Sequence, residues 1–190
     1  MSGSAPQRVV VFLDCQSLYR RARDAFCSPL ASPSQGQVDS LALGHLLAGR
    51  VPGGYLTGAR VYRGRPSRRR DSRSHGACRR HTARQVCRGG GLAVAQSREL
   101  RYPPEWPRRP VEEKGIEVAI LFSSDMDLVP ALEAVLALRS GDPAACEVAA
   151  WAAPGMRPRS LSVRGVSIWR HLLSEADYRS VADLTDYARS

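Results

Sequence analysis

Three aspartates are the residues of this chain whose chemistry is easiest to name: Asp14, Asp125 and Asp127. Each follows an apolar run. Arg8-Val-Val-Val-Phe-Leu leads into Asp14, and Val118-Ala-Ile-Leu-Phe leads into Ser123-Ser-Asp-Met-Asp127. Carboxylates gathered from two such places repel one another unless a divalent cation sits between them. Mg²⁺ suits that position, because it takes hard oxygen ligands at about 2.0–2.1 Å and keeps several waters. A plainer reading stands beside this one. Ser124 is a natural N-cap, and Asp125 and Asp127 suit a first helical turn, where the macrodipole favours negative charge.

The elements that must position these acids follow from periodicity. Val118 to Phe122 reads as a strand buried on both faces, and Leu128, Leu132, Val135 and Leu138 then recur at the spacing of one helix face. Pro130 is tolerable there, since the first turn's N–H groups lack intrahelical partners. Residues 1–7 are a polar tail ahead of a single domain over 8–190. A strand at 8–13, a helix near 16–26 and a loop at 27–36 come first. A helix bearing Val38, Leu41, Leu43, Leu46 and Leu47, capped by Asp39, ends at Pro52-Gly53-Gly54. Strands at 59–64 and 92–95 flank a helix near 76–87, and 98–115 is a surface excursion. A C-terminal extension over 146–188 supplies a strand at 146–151, an edge strand at 160–166 and two short helices within 167–188. Strands alternating with helices predict a three-layer α/β fold, a mostly parallel doubly wound sheet with right-handed crossovers. Such sheets place their ligands at the carboxyl ends of the strands.

With 190 residues, 43% of them hydrophobic, the chain is long enough for one domain with a substantial core. No apolar run approaches the roughly 20 residues needed to cross a bilayer, which argues against a membrane partner. The five cysteines are odd in number and scattered, which points to reduced thiols and a cytoplasmic setting. Net charge is +10, pointing to a polyanion such as nucleic acid. Of the 28 basic residues only Lys114 is a lysine, the bias a GC-rich genome produces, so placement of charge counts for more than its sum. Arginines crowd residues 60–88, Arg63 among them, with Asp71 the one acid. That block can grip phosphates by charge and forked hydrogen bonds, or be a solvated loop.

Competing motifs are weaker. Asp125-Met-Asp-Leu-Val129 matches a phosphatase nucleophile pattern, but that chemistry also wants a downstream lysine or arginine and a late acidic pair, and neither a lysine nor an Asp-Asp pair follows. A zinc site from His75, Cys78, His81 and Cys87 fails because, on a helix, Cys87 faces away from Cys78. Gly89-Gly90-Gly91 has no following Gly-Lys-Ser/Thr and reads as a turn. His45 reads as a surface or core-edge residue.

Taken together, Phe12-Leu-Asp-Cys-Gln-Ser17, Val61-Tyr-Arg-Gly64, Gly76-Ala-Cys-Arg79, Arg101-Tyr-Pro103, Glu113-Lys-Gly-Ile116 and Leu121-Phe-Ser-Ser-Asp-Met-Asp-Leu128 resemble the NYN domain. That is a branch of the PIN-like ribonuclease superfamily common in bacteria. The resemblance runs over most of the chain, including Asp177, Asp183 and Thr185-Asp186-Tyr187. It implies a PIN-like, Rossmann-like fold, a site that depends on Mg²⁺ or Mn²⁺, and RNA as substrate. Carried over by position, Asp14, Asp125 and Asp127 are the catalytic metal ligands. In that frame Ser17, Arg20, Arg21, Arg63, Ser123 and Ser124 contact the substrate. The implied function is metal-dependent hydrolysis of RNA phosphodiester bonds; the alternative is an RNA-binding PIN-like protein with impaired or no catalysis. Tyr62 or Tyr19 could stack on a base, though Tyr62 is equally a core residue. Homo-oligomerisation stays open.

Two departures from the family pattern are visible. Ser17 stands where the family usually has asparagine. After Glu117 the family continues with an apolar stretch bearing an acid and then a helix, whereas here Glu117 joins directly to Val118. Glu117 begins a strand whose far end carries the site, so it is expected to lie too far away to replace the missing acid.

Overall fold

The structure is a computed structural model that describes residues 5–32, 34–64, 92–97, 116–139 and 142–185; for 63, 64, 92–97 and 143 it gives the backbone course alone. Alternation in the central strands sets the layers. In β1 (Gln7–Asp14), Val9, Val11 and Leu13 join one core cluster, while Val10 and Phe12 join another. β4 (Val118–Phe122) does the same, with Val118, Ile120 and Phe122 in the first cluster and Ala119 in the second. Strands buried on both faces have no polar side, and hence read as continuous apolar runs.

Six strands form one parallel sheet, in the order β3-β2-β1-β4-β5-β6. The others are β2 (Gly54–Gly64), β3 (Leu92–Ser97), β5 (Cys146–Trp151) and β6 (Arg170–Leu173). The first face is covered by α1 (Cys15–Phe26), α2 (Ser40–Ala48) and α4 (Glu175–Val181). The opposite face is covered by α3 (Val129–Leu138) and by Leu161, Val163 and Ile168 of the segment between β5 and β6. This is the expected three-layer α/β architecture. The chain after β1 moves outward to β2 under α1 and α2; the chain after β4 moves the other way to β5 under α3. The strand order therefore reverses between β1 and β4, and a crevice opens at their carboxyl ends.

Local chemistry explains the boundaries. Asp39 caps α2, its carboxylate accepting from the N–H groups of Leu41 at 2.9 Å and Ala42 at 3.1 Å. Gly44 lets α2 lie close on the sheet: a Cβ there would meet the Leu56 side chain at 3.0 Å. Gly53, at φ 72°, makes the turn into β2. β2 starts at Gly54, ahead of the expected 59, because its glycines and Thr57 mask the alternation; a register shift against Val9 and Val10 marks the irregularity. Trp151 anchors the first core, its indole N–H donating to the Leu18 carbonyl at 3.1 Å and its ring standing edge-on to Phe26 and Tyr178.

Three expectations change. Residues 160–166 are not a strand: Leu161 is fully buried and Val163 nearly so, but they pack as irregular chain, and β6 at Arg170–Leu173 is the edge. Apolar alternation without a free strand edge beside it was the false signal. Within 167–188, one helix, α4, is described where two were expected, since Arg170–Leu173 pairs with β5. The residue capping the turn after β4 is Asp125, not Ser124. The helix at 76–87, the excursion at 98–115, the zinc constellation and most of the arginine block lie outside the described residues. None of the described cysteines, Cys15, Cys27 and Cys146, is in a disulfide. Burial, and then the charge of Glu147, pushes the Cys146 thiol up to about 12, so it stays protonated. No described helix is long and apolar enough to cross a membrane.

Candidate functional site

Asp14 is the last residue of β1 and the N-cap of α1. Its Oδ1 accepts from the N–H groups of Gln16 at 3.0 Å and Ser17 at 3.4 Å. Its Oδ2 accepts from the Ser17 hydroxyl at 2.7 Å and the Ser123 hydroxyl at 3.0 Å. Ser123, one of the few buried polar side chains, follows directly on β4 and also accepts from the Asp125 N–H at 3.0 Å. Two residues 111 positions apart in sequence, Asp14 and Asp125, are thus linked through a single hydroxyl. Ser124 extends the network, its hydroxyl donating to Ser17 Oγ at 3.3 Å and accepting from Arg21 Nε at 3.3 Å.

The sequence-derived residues divide accordingly. Asp14, Ser17, Arg21, Ser123, Ser124 and Asp125 come together at the carboxyl edge between β1 and β4. Asp125 is half-buried and serves the capping role of the plainer reading, its Oδ1 accepting from the Asp127 N–H at 3.1 Å. Asp127 lies in that turn and is exposed, as is Arg20 on α1. Arg63 ends β2, and its side chain lies outside the described residues. Tyr62 stacks on Phe12 with ring centroids 6.4 Å apart, which favours its packing role. His45 is exposed, as a surface residue should be.

A Mg²⁺ or Mn²⁺ ion held by three acids does not fit the described arrangement. Among the described residues no three His, Cys, Asp or Glu side chains are placed to share an ion. Glu117 explains part of this. Its carboxylate accepts from the backbone N–H of Arg8 and pairs with the Arg8 guanidinium at 3.4 Å, at the start of β1. Six residues of strand, at about 3.3 Å each, put it about 20 Å from Asp14. The expectation that Glu117 lies too far from the carboxyl edge to join Asp14 is met.

Sequence reasoning missed the neighbouring cavity. It has a volume of about 280 Å³ and lies beside the serine network, at the carboxyl ends of β4 and β5. Arg21, Arg157 and Arg159 line it with Ser124, over an apolar floor of Phe122, Ala150, Trp151 and Met156. Among the described residues that line it there is no carboxylate. The signal was present: Gly155-Met-Arg-Pro-Arg159 follows a central strand at its ligand-bearing end.

No family model matches the chain, and no curated protein matches it. A crystal structure of a protein of unknown function from Vibrio parahaemolyticus aligns with a TM-score of 0.45 at 14% identity, covering 92% of this chain and 96% of that one.

Proposed function

We propose that the protein binds RNA at the carboxyl edge of its sheet, as a PIN-like domain whose hydrolytic centre is incomplete, so that binding outlasts cleavage. The observation that carries this reading is the contrast within one crevice. Arginines and hydroxyls are abundant there, whereas the acid that follows Ile116 is at the other end of the strand. Guanidinium groups give forked hydrogen bonds to phosphate oxygens, and hydroxyls of Ser17, Ser123 and Ser124 add neutral donors that do not repel the strand. Arg20, exposed on α1 beside Arg21, adds positive charge near the same edge.

A second reading, the metal-dependent ribonuclease expected from Asp14, Asp125 and Asp127 with Mg²⁺ or Mn²⁺ but here reduced to Asp14 and Asp125 as ligands, is favoured by one specific observation. The Ser123 hydroxyl donates to the Asp14 carboxylate and accepts from the Asp125 backbone N–H, which brings the two residues, though not their carboxylates, to one hydroxyl; Mg²⁺ is often held by only one or two carboxylates. The two readings separate in one experiment on single-stranded RNA. Binding that weakens steeply with salt, persists in Asp125→Asn and comes without Mn²⁺-dependent cleavage is the expected result. Cleavage that Asp125→Asn abolishes would establish the ribonuclease instead. Absence of RNA binding at low salt would remove both.

A further inference from the structure

The cavity beside the serine network has a composition that an internal stretch of RNA does not require. An internal phosphodiester carries one negative charge and runs past a surface. A terminal phosphate monoester has a second ionisation near pH 6 and carries about −1.5 to −2 charges at neutral pH. Three arginines around one cavity, with no carboxylate among the described lining residues, match the larger charge. Neither Arg157 nor Arg159 has an ion-pair partner among the described residues. Arg21 has one, the exposed Asp24 at 3.3 Å, while its Nε reaches Ser124 inside the cavity lining. Size agrees as well. About 280 Å³ is close to the lower end of small-ligand cavities, roughly 300 Å³, enough for one nucleotide and not for a strand. The floor is apolar: Phe122 and Trp151, both 2% exposed with ring centroids 5.2 Å apart, back it from the core, and the half-buried Met156 is the apolar side chain with surface left to meet a ribose or base. Trp151 is held rigid by its bond to the Leu18 carbonyl, so the floor is formed before any ligand arrives.

We infer that this cavity seats the phosphorylated end of an RNA strand, Arg21, Arg157 and Arg159 holding the terminal phosphate and the Phe122–Trp151–Met156 floor taking the last nucleotide. This deepens the RNA-binding reading and rests on it for the identity of the ligand. The polarity of the strand is set by the same test, since 5′- and 3′-monophosphates share the chemistry.

The experiment uses the full chain and one short single-stranded RNA made in three forms: 5′-phosphate, 3′-phosphate, and hydroxyl at both ends. Fluorescence anisotropy is expected to show at least tenfold tighter binding for one phosphorylated form than for the hydroxyl form. The double variant Arg157→Ala/Arg159→Ala, made on exposed irregular chain, should reduce that ratio to about one. The variant Arg157→Lys/Arg159→Lys, which keeps the charge and loses the fork, should keep part of it. The mononucleotides 5′-AMP and 3′-AMP, with adenosine as the control, report on the cavity alone. Equal binding of all three RNAs would overturn the inference and leave RNA binding intact. Mononucleotide binding without RNA binding would keep the phosphate site and remove the RNA reading. Failure of both kinds of ligand would remove both. A preference that survives Arg157→Ala/Arg159→Ala would place the phosphate elsewhere and also overturn the inference.

Discussion

The two ends of the β1–β4 pair are built from the same residue types and behave differently. At the amino end, Arg8 and Glu117 make a pair whose side chains are 46% and 43% exposed, and among the described residues the one further side chain bonded there is Arg139, donating to the Glu117 carbonyl at 3.4 Å. At the carboxyl end, Asp14 is enclosed by two hydroxyls and two backbone N–H groups, and Ser123 beneath it is 1% exposed. Both ends hold an acid. What separates them is where the chain turns: after β1 and β4 the helices leave on opposite faces, which opens a crevice at that end and brings distant loops together. An acid placed six residues earlier on the same strands does no shared chemistry.

Substitutions can break or sharpen that contrast. The largest effect is expected beneath the carboxyl end: Trp151→Ala removes a buried ring and should destabilise the fold by about 3–5 kcal/mol in urea denaturation. A loss below about 1 kcal/mol would mean that the floor is not a packed element. Next comes Asp14→Ala, which leaves the buried Ser123 hydroxyl and the part-buried Ser17 N–H and hydroxyl without their acceptor and should cost about 1–3 kcal/mol. Its counterpart Glu117→Ala should cost no more than about 1 kcal/mol, as for an exposed ion pair. Equal losses in these two variants would erase the difference between the ends.

Smaller effects belong to α4. Ser174 and Asp177 form a capping box, and Asp177 also accepts from Arg50 at 2.6 Å. Ser174→Ala should cost about 1 kcal/mol. Burial raises the Asp177 pKa, but the hydrogen bonds from Ser174 and the nearby Arg50 outweigh it and hold the carboxyl below its usual range. A folded pKa below the unfolded value stabilises at higher pH. The stability gap between the wild type and Asp177→Asn should therefore be full at neutral pH. It should close as pH falls below about 3.9, the unfolded value. A gap that widens in acid would contradict the assignment.

Much of this was legible in the chain. Continuous apolar runs ending in Asp14 and in Ser123-Ser-Asp125 gave the two central strands, their parallel sense and the edge at which they deliver polar groups. Asp39 capping α2 was readable because an N-cap is a local event. The cavity was readable only in part: Arg157 and Arg159 follow a central strand, but Trp151 and Arg157 join Arg21 around it only through tertiary packing across 130 residues or more. Leu161 and Val163 misled for a related reason: burial under α3 leaves the same apolar alternation as strand pairing does. The capping role of Asp125 and the metal role expected for it share one sequence pattern, since a helix start and a cation both favour a carboxylate.

The most direct test compares RNA binding after one change at each end of the sheet. Ser124→Glu places a negative charge in the carboxyl-edge crevice, and Glu117→Gln removes one at the amino edge. For a single-stranded RNA measured at one low salt concentration, the account predicts at least a tenfold loss for Ser124→Glu and less than a twofold change for Glu117→Gln. Unchanged binding in Ser124→Glu, or a larger effect from Glu117→Gln, would contradict it.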